Sequence, residues 1–198
     1  MNEVRVSAAE EVAVREMQVA ARQRLLDRPI SVIGFMGAGK TSLGRALGKE
    51  LGRPFHDTDR VIERTHGRPI VDYFAAGEEA VFRELESQTV AELVRADPAV
   101  IALGGGTLDA GLNRDLIFGK TFAVHLVVSW AAVRREMRQL AGGRPMMNNR
   151  SEADLHELFL RRQRTYSPAH LRISPPRGDV KKAAAYVISC LLRLADST

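Results

Sequence analysis

Cysteine is almost absent from the 198-residue sequence. The single Cys190 excludes an intrachain disulfide, fits a reducing compartment, and reads as a small core residue because its surroundings are apolar and helical. No apolar run approaches membrane-spanning length. The N-terminal stretch lacks the apolar segment of a secretory signal and carries Glu3, Glu10 and Glu11 instead, so the expected location is the cytoplasm. Aromatic residues make up only 6% of the chain, and no Lys/Arg run has aromatics interleaved. The net charge of +5 therefore points away from nucleic acid and toward small anionic ligands. The five histidines, at 56, 66, 125, 156 and 170, show no metal-ligand spacing and receive no role. Internal repeats, low-complexity segments and hairpin signals are missing too. What remains is ordinary for one globular domain: 45% hydrophobic and 27% charged residues, enough for a sizeable core.

One stretch stands out against this background. Gly34-Phe35-Met36-Gly37-Ala38-Gly39-Lys40-Thr41 is a complete G-x-x-x-x-G-K-[ST] loop. Ile30-Ser31-Val32-Ile33 before it reads as a buried strand, and residues 42–51 after it have helical apolar spacing at Leu43, Ala46, Leu47 and Leu51. In that setting the loop and helix backbone, Gly37 through Ser42, would cradle phosphate oxygens. Lys40 would reach the β- and γ-phosphates of ATP, and Thr41 would meet Mg²⁺.

Residues 1–28 form an N-terminal extension, with an amphipathic helix predicted over 8–26 that packs on the domain or on another chain. The expected state is a monomer, with any weak self-association running through this helix. Further strands are predicted at 55–57, 100–103, 122–128 and 170–174, and helices at 60–66, 70–76, 80–95, 130–140, 152–164 (N-capped by Ser151) and 180–194. The strand at 122–128 is the most apolar, hence central or near-central. Alternation of this kind predicts a three-layer α/β/α fold with a five-stranded parallel sheet in a domain over 29–198. Residues 57–95 read as an acceptor-binding insert. Residues 139–151, rich in Gly, Pro and Asn, read as a closing lid.

Asp57 and Asp59 close the second strand, at the edge where ligands bind in open α/β sheets. The period of two predicts that both face the same side, one toward the Mg²⁺ hydration shell and one toward an acceptor hydroxyl. An exposed acidic turn is the alternative. Arg83 is either an anion-binding fork or a surface partner of Glu79 or Glu86. Arg161, Arg162 and Arg164 crowd one helix, and a solvated basic face is the competing reading there. Gly104-Gly105-Gly106 after an apolar strand suggests close approach of a ligand, or a plain exit turn.

The phosphate loop, Asp57-Thr58-Asp59, Gly77-Glu78 with Phe82-Arg83-x-x-Glu86, the glycine triplet, Arg144-Pro145 and Arg162-x-x-x-Tyr166 occur in an order that resembles the shikimate kinases, over about 30–170. The resemblance implies a nucleoside-monophosphate-kinase-like fold and transfer of the ATP γ-phosphate to the shikimate 3-hydroxyl. It also implies roles: Asp59 at the acceptor hydroxyl as hydrogen-bond partner and base, and Asp57 near Mg²⁺, through water. Arg83 and Arg162 would take the substrate carboxylate. Gly104, Gly105 and Gly106 would lie against the ring hydroxyls, and Arg144 would close over the phosphates. Arg138 would stack on adenine, with Pro175 or Pro176 as the opposite wall, and Met146 and Met147 would pack within the lid. The sequence departs from the family pattern in its N-terminal extension, at Arg164, where proline is more usual, and after Tyr166. The alternatives are a gluconate-type sugar-acid kinase, which the Asp-x-Asp, Phe-Arg and triple-glycine set disfavours, and a non-catalytic ligand-sensing module.

Overall fold

The computed structural model describes residues 27–139, 151–174 and 179–196, without side chains for 136–139 and 195–196. The helix expected over 8–26, the lid residues Arg144, Met146 and Met147, the adenine wall at Pro175 or Pro176 and the side chain of Arg138 lie outside the described residues.

Strand β1 (Ile30–Gly34) runs into helix α1 (Lys40–Leu51), followed by β2 (Phe55–Asp57), α2 (Thr58–His66), α3 (Ile70–Ala75) and α4 (Glu79–Arg95). Then come β3 (Val100–Ala102), a 3₁₀ turn (Thr107–Asp109), α5 (Gly111–Lys120), β4 (Phe122–Leu126), α6 (Trp130–Gln139), α7 (Glu152–Thr165), β5 (Leu171–Ile173) and α8 (Val180–Asp196). The strands make one parallel sheet in the order β2-β3-β1-β4-β5, with Ile30 opposite both Val100 and Phe122. Strand β4 flanks the central β1, which agrees with its apolar run. Both strands are buried along their whole length because helices cover both sheet faces.

One face packs Ile30, Val32, Val100, Phe122 and Val124 against Leu43 and Leu47 of α1 and against Ala183, Ala184, Val187 and Leu191 of α8. The other packs Ile33, Ile101 and Ala123 against Val90 and Val94 of α4, Ile117 of α5 and Tyr166. Buried polar groups here differ: both ring nitrogens of His125 in β4 have no hydrogen-bond partner among the described residues, whereas the hydroxyl in β1 is satisfied. Buried Ser31 pairs with Thr121 at 2.7 Å, and Thr121 donates to the Ile117 carbonyl. His170 also serves the fold, its Nδ1 accepting the Ala123 N–H at 3.0 Å.

Three differences from the expectations have physical causes. Helix α5, together with the 3₁₀ turn, occupies 107–120, where no element was predicted. It starts without a side-chain cap, and tertiary packing of fully buried Ile117 and the bond from Asn113 to the Thr107 carbonyl hold it. Cys190 is only partly buried, because it flanks rather than joins the buried stripe of α8. Asp59 belongs to α2, not to the β2 pleat, so period-two geometry does not set its direction.

Helix α1 lies unusually close to β2, since a Cβ on Gly44 would collide with the Phe55 ring, whose Cδ2 is 2.9 Å away. This approach lets Thr41 reach Asp57. Gly44→Ala gains about 1 kcal/mol of helix propensity, less than the upper part of the roughly 1–3 kcal/mol overpacking cost. We expect a net loss of up to about 2 kcal/mol, seen as a lower urea midpoint at unchanged slope and partly restored by adding Phe55→Leu. Undiminished stability in Gly44→Ala would mean that the ring yields freely.

Candidate active site

The central strand reverses the direction of winding: β3 lies on one side of β1 and β4 on the other. Ligands bind at such a switch point, beyond the carboxyl ends of the strands. Gly34 ends β1 with φ at 151°, and a Cβ there would fall 2.8 Å from the Leu126 carbonyl. Gly39 caps α1 at φ 91°, in the left-handed region that favours glycine. No side chain caps this helix and no acidic residue enters its first turn, so its free N–H groups face the loop as a ready anion site. Gly37, Gly39, Lys40, Thr41 and Ser42 line the cavity. Ala38 packs into the core and does not line the cavity.

The Lys40 Nζ donates to the carbonyls of Gly34 at 2.9 Å and Phe35 at 3.2 Å, folded back over its own loop. Thr41 Oγ1 donates to Asp57 Oδ2 at 2.7 Å. Asp57 is the last residue of β2 and the N-cap of α2. Asp59 sits in the first turn of α2. Strand end and helix start, rather than strand pleat, bring the two carboxylates to one cavity. Burial first, then the negative charges of Asp57 and Glu86, push the Asp59 carboxyl up to about 6, against the opposing pull of Lys40.

Arg83 makes the ion pairs of one reading and stands at the cavity, where the other reading needs it. Its Nη1 donates to Glu86 at 2.9 Å and its Nη2 to Glu79 at 3.0 Å, yet the guanidinium also lines the cavity, over the rings of Phe82 and Phe74. Glu86 is 2% exposed and accepts a second bond from Thr107 Oγ1 at 2.6 Å. Its structural job was legible only as the i,i+3 spacing from Arg83.

Of the three crowded arginines, the fold buries Arg162 and leaves Arg161 and Arg164 exposed. Arg162 is 1% exposed, lies over Phe35 and pairs through Nη2 with Asp109 at 3.2 Å. Its Nε and Nη1 have no hydrogen-bond partner among the described residues. A buried guanidinium with unspent donors at a cavity wall suits an incoming anion.

The glycine triplet is where these groups converge. A Cβ on Gly104 would lie 2.5 Å from Asp59 Oδ1 and 2.9 Å from Glu86 Oε1. One on Gly106 would lie 2.8 Å from Arg83 Nη1, and one on Gly105 would be 3.2 Å from Arg162 Nη1. Glycine lets the protein's own charged side chains press against bare backbone, and a side chain at these positions would displace their ends. Thr58 Oγ1 accepts the Gly104 N–H at 2.9 Å and fixes the triplet to α2. The resulting cavity, about 660 Å³, has the phosphate loop on one side and Asp59, Arg83, Gly104, Gly105, Gly106 and Arg162 on the other. Among the described residues no cluster of three or more His, Cys, Asp or Glu could hold a metal by itself, and no helix is long and apolar enough to cross a membrane.

Comparison with known proteins gives a consistent result. The family model described as shikimate kinase matches residues 36–192. Shikimate kinase of Moorella thermoacetica is 39% identical over 160 residues, which cover 79% of this chain and 88% of that protein. Shikimate kinase of Cereibacter sphaeroides is 36% identical over 180 residues, 90% of this chain and 88% of that protein. The structure of shikimate kinase from Acinetobacter baumannii in complex with shikimate superposes with a TM-score of 0.79 at 28% identity, covering 88% of this chain and 98% of that one. Matched along most of its length by the family model and by relatives aligned over most of theirs, the chain belongs to the shikimate kinase family.

Proposed function

We propose that the chain transfers the γ-phosphoryl group of ATP to the 3-hydroxyl of shikimate, giving shikimate 3-phosphate and ADP. The observation that carries this is one cavity with a phosphate loop facing two guanidinium groups and a carboxyl held up near 6. An acceptor fitting that wall has a carboxylate for Arg83 and Arg162 and hydroxyls for Asp59 and the triplet backbone. Asp59, ionised above pH 6, takes the proton of the 3-hydroxyl as its oxygen attacks the γ-phosphorus and the bond to the β–γ bridging oxygen breaks. Lys40 leaves the Gly34 and Phe35 carbonyls for the phosphate oxygens, where charge develops. Thr41 and Asp57 supply hard oxygen donors side by side, and Mg²⁺ takes few protein ligands beside water and phosphate, so the residues present fit it. When bound, Mg²⁺ neutralises the charge on the phosphate oxygens. Arg144 and Arg138 complete the nucleotide side in this reading, as lid cation and adenine neighbour. We further read the protein as a cytoplasmic monomer whose residues 1–28 are dispensable for turnover, since every matched motif lies beyond them.

ADP release measured with shikimate, with gluconate and with no acceptor tests the reading. Turnover with shikimate supports it, turnover with gluconate alone replaces the acceptor, and binding without turnover would indicate a sensing module. Lys40→Ala should lower kcat at least about 10²-fold while the thermal transition stays cooperative. Wild-type turnover in that variant would remove the loop from the mechanism.

The two arginines separate by what they weaken. Arg83→Ala leaves the substrate carboxylate and Glu86 without a shared cation, so shikimate binding should weaken by about 2–5 kcal/mol with ADP binding unchanged. Arg144→Ala should lower kcat and spare shikimate affinity. Calorimetric titration of each ligand, followed by steady-state kinetics, decides both.

The acid limb of kcat/KM should fall with an apparent pKa about 6, because protonated Asp59 cannot accept the hydroxyl proton. The same group acts on stability with the opposite preference. Its folded pKa lies above the unfolded value, so the stability it lends is present below pH about 3.8 and lost as pH rises through about 6. Asp59→Asn should therefore abolish most turnover yet stabilise the fold at pH 7.5, by at most about 3 kcal/mol, the full value of that shift. A destabilised, active Asp59→Asn protein would overturn both roles.

A further inference from the structure

Tyr166 follows Arg162 by one helical turn and caps the end of α7. It is 2% exposed, and its ring packs 5.0 Å from that of His125 within the cluster formed by Ile33, Ile101 and Ala123. The phenol has a small choice of partners in such a place. Its Oη donates to the Gly105 carbonyl at 2.9 Å and stands 3.4 Å from the Gly34 carbonyl. Burial pushes the phenol up, which keeps the hydroxyl protonated and a donor.

The two carbonyls belong to the two halves of the cavity. Gly34 ends β1, opens the phosphate loop and holds Lys40 through the same oxygen. Gly105 is the centre of the triplet, against which Arg162 Nη1 rests. A hydroxyl that only needed satisfying in the core could have used either carbonyl of a single loop. This one lies between both, and its own helix carries Arg162, so it also ties the last turn of α7 to the triplet.

We propose that Tyr166 is a positioning residue for the acceptor: its hydroxyl fixes the Gly105 backbone and Arg162 at a set distance from the exit of β1, and so fixes the acceptor subsite against the phosphate loop. It acts through Gly105 and does not touch the substrate. The inference rests on the reading that Arg162 and the triplet bind the acceptor.

Tyr166→Phe removes the hydroxyl and keeps the ring packing. Calorimetric titration of shikimate should show affinity falling about three- to tenfold, as expected for one net hydrogen bond, with ADP affinity within about twofold of the parent. The KM for shikimate should rise by a similar factor. Placing p-aminophenylalanine at position 166 restores a donor at the same point and should recover the shikimate affinity. Unchanged shikimate affinity in Tyr166→Phe, or equal losses for shikimate and ADP, would overturn the proposal, because either outcome describes a core residue with a purely structural bond. Failure of the p-aminophenylalanine protein to bind better than Tyr166→Phe would overturn it as well, and remains readable if Tyr166→Phe itself does not fold, by comparison with the parent. Arg162→Ala, run alongside, separates two kinds of failure. Weak shikimate binding in Arg162→Ala with normal binding in Tyr166→Phe sinks the positioning role alone, whereas normal binding in both sinks the acceptor reading and the positioning role together.

Discussion

Charge packed against bare backbone at Gly104, Gly105 and Gly106 is the constraint on which the rest of the site depends. Asp59, Glu86, Arg83 and Arg162 reach this strip from α2, α4 and α7, and each occupies space that a methyl group would need. Replacing any of the three glycines would therefore displace a charged group rather than strain a dihedral. None of the triplet has φ in the left-handed region, in contrast to Gly34, Gly37 and Gly39 of the phosphate loop. The two glycine-rich segments thus use the same residue for different physical reasons. One needs unusual backbone turns around an anion, and the other needs no side chain between opposing charges.

The cost of gathering like charges appears on Asp59. Burial and the neighbouring carboxylates destabilise its ionised form, and Lys40 offsets part of this. In our reading Lys40 moves to phosphate oxygens when the nucleotide binds, so this offset is withdrawn from Asp59 while Mg²⁺ arrives with the phosphates. Glu86 is set apart from this by its two fixed donors, Arg83 and Thr107, and so orients the arginine.

The order of elements and the phosphate loop were legible because their signals are local: apolar period, glycine spacing and a lysine at a fixed offset. Helix α5 was not, since it lacks a side-chain cap and is held by Ile117 packing on distant elements and by the bond from Asn113 to the Thr107 carbonyl. The pairing of Asp57 with Asp59 was foreseen for the wrong reason. Strand alternation does not extend into a helix, and the N-cap geometry of Asp57 produced the convergence instead. Arg162 could not be told from Arg161 or Arg164 by spacing alone. Burial over Phe35 and beside Asp109 separates them, and neither partner is near in sequence. Tyr166 entered only as a marker of distance, because a hydroxyl bridging residues 34 and 105 has no local signature.

Arg83 is paired with Glu79 and Glu86, and Arg162 with Asp109, so in our reading both meet the acceptor already paired. A substrate carboxylate therefore enters by sharing or exchange and not by neutralising a free charge. Its gain is reduced by the partners it disturbs, so recognition rests on geometry more than on net attraction. The carboxyl groups of Asp57, Asp59, Glu63, Glu79, Glu86 and Asp109 outnumber the cations Lys40, Arg83 and Arg162 around the cavity and its arginines. Adding a nucleotide triphosphate and a second anion to that arrangement requires positive charge from elsewhere. In our reading it comes with the nucleotide as Mg²⁺ and from Arg144, so a loaded site without both would hold more negative charge than a low-dielectric cavity tolerates. In that reading, supplying those cations from outside the wall makes phosphoryl transfer conditional on the nucleotide and Arg144 arriving together.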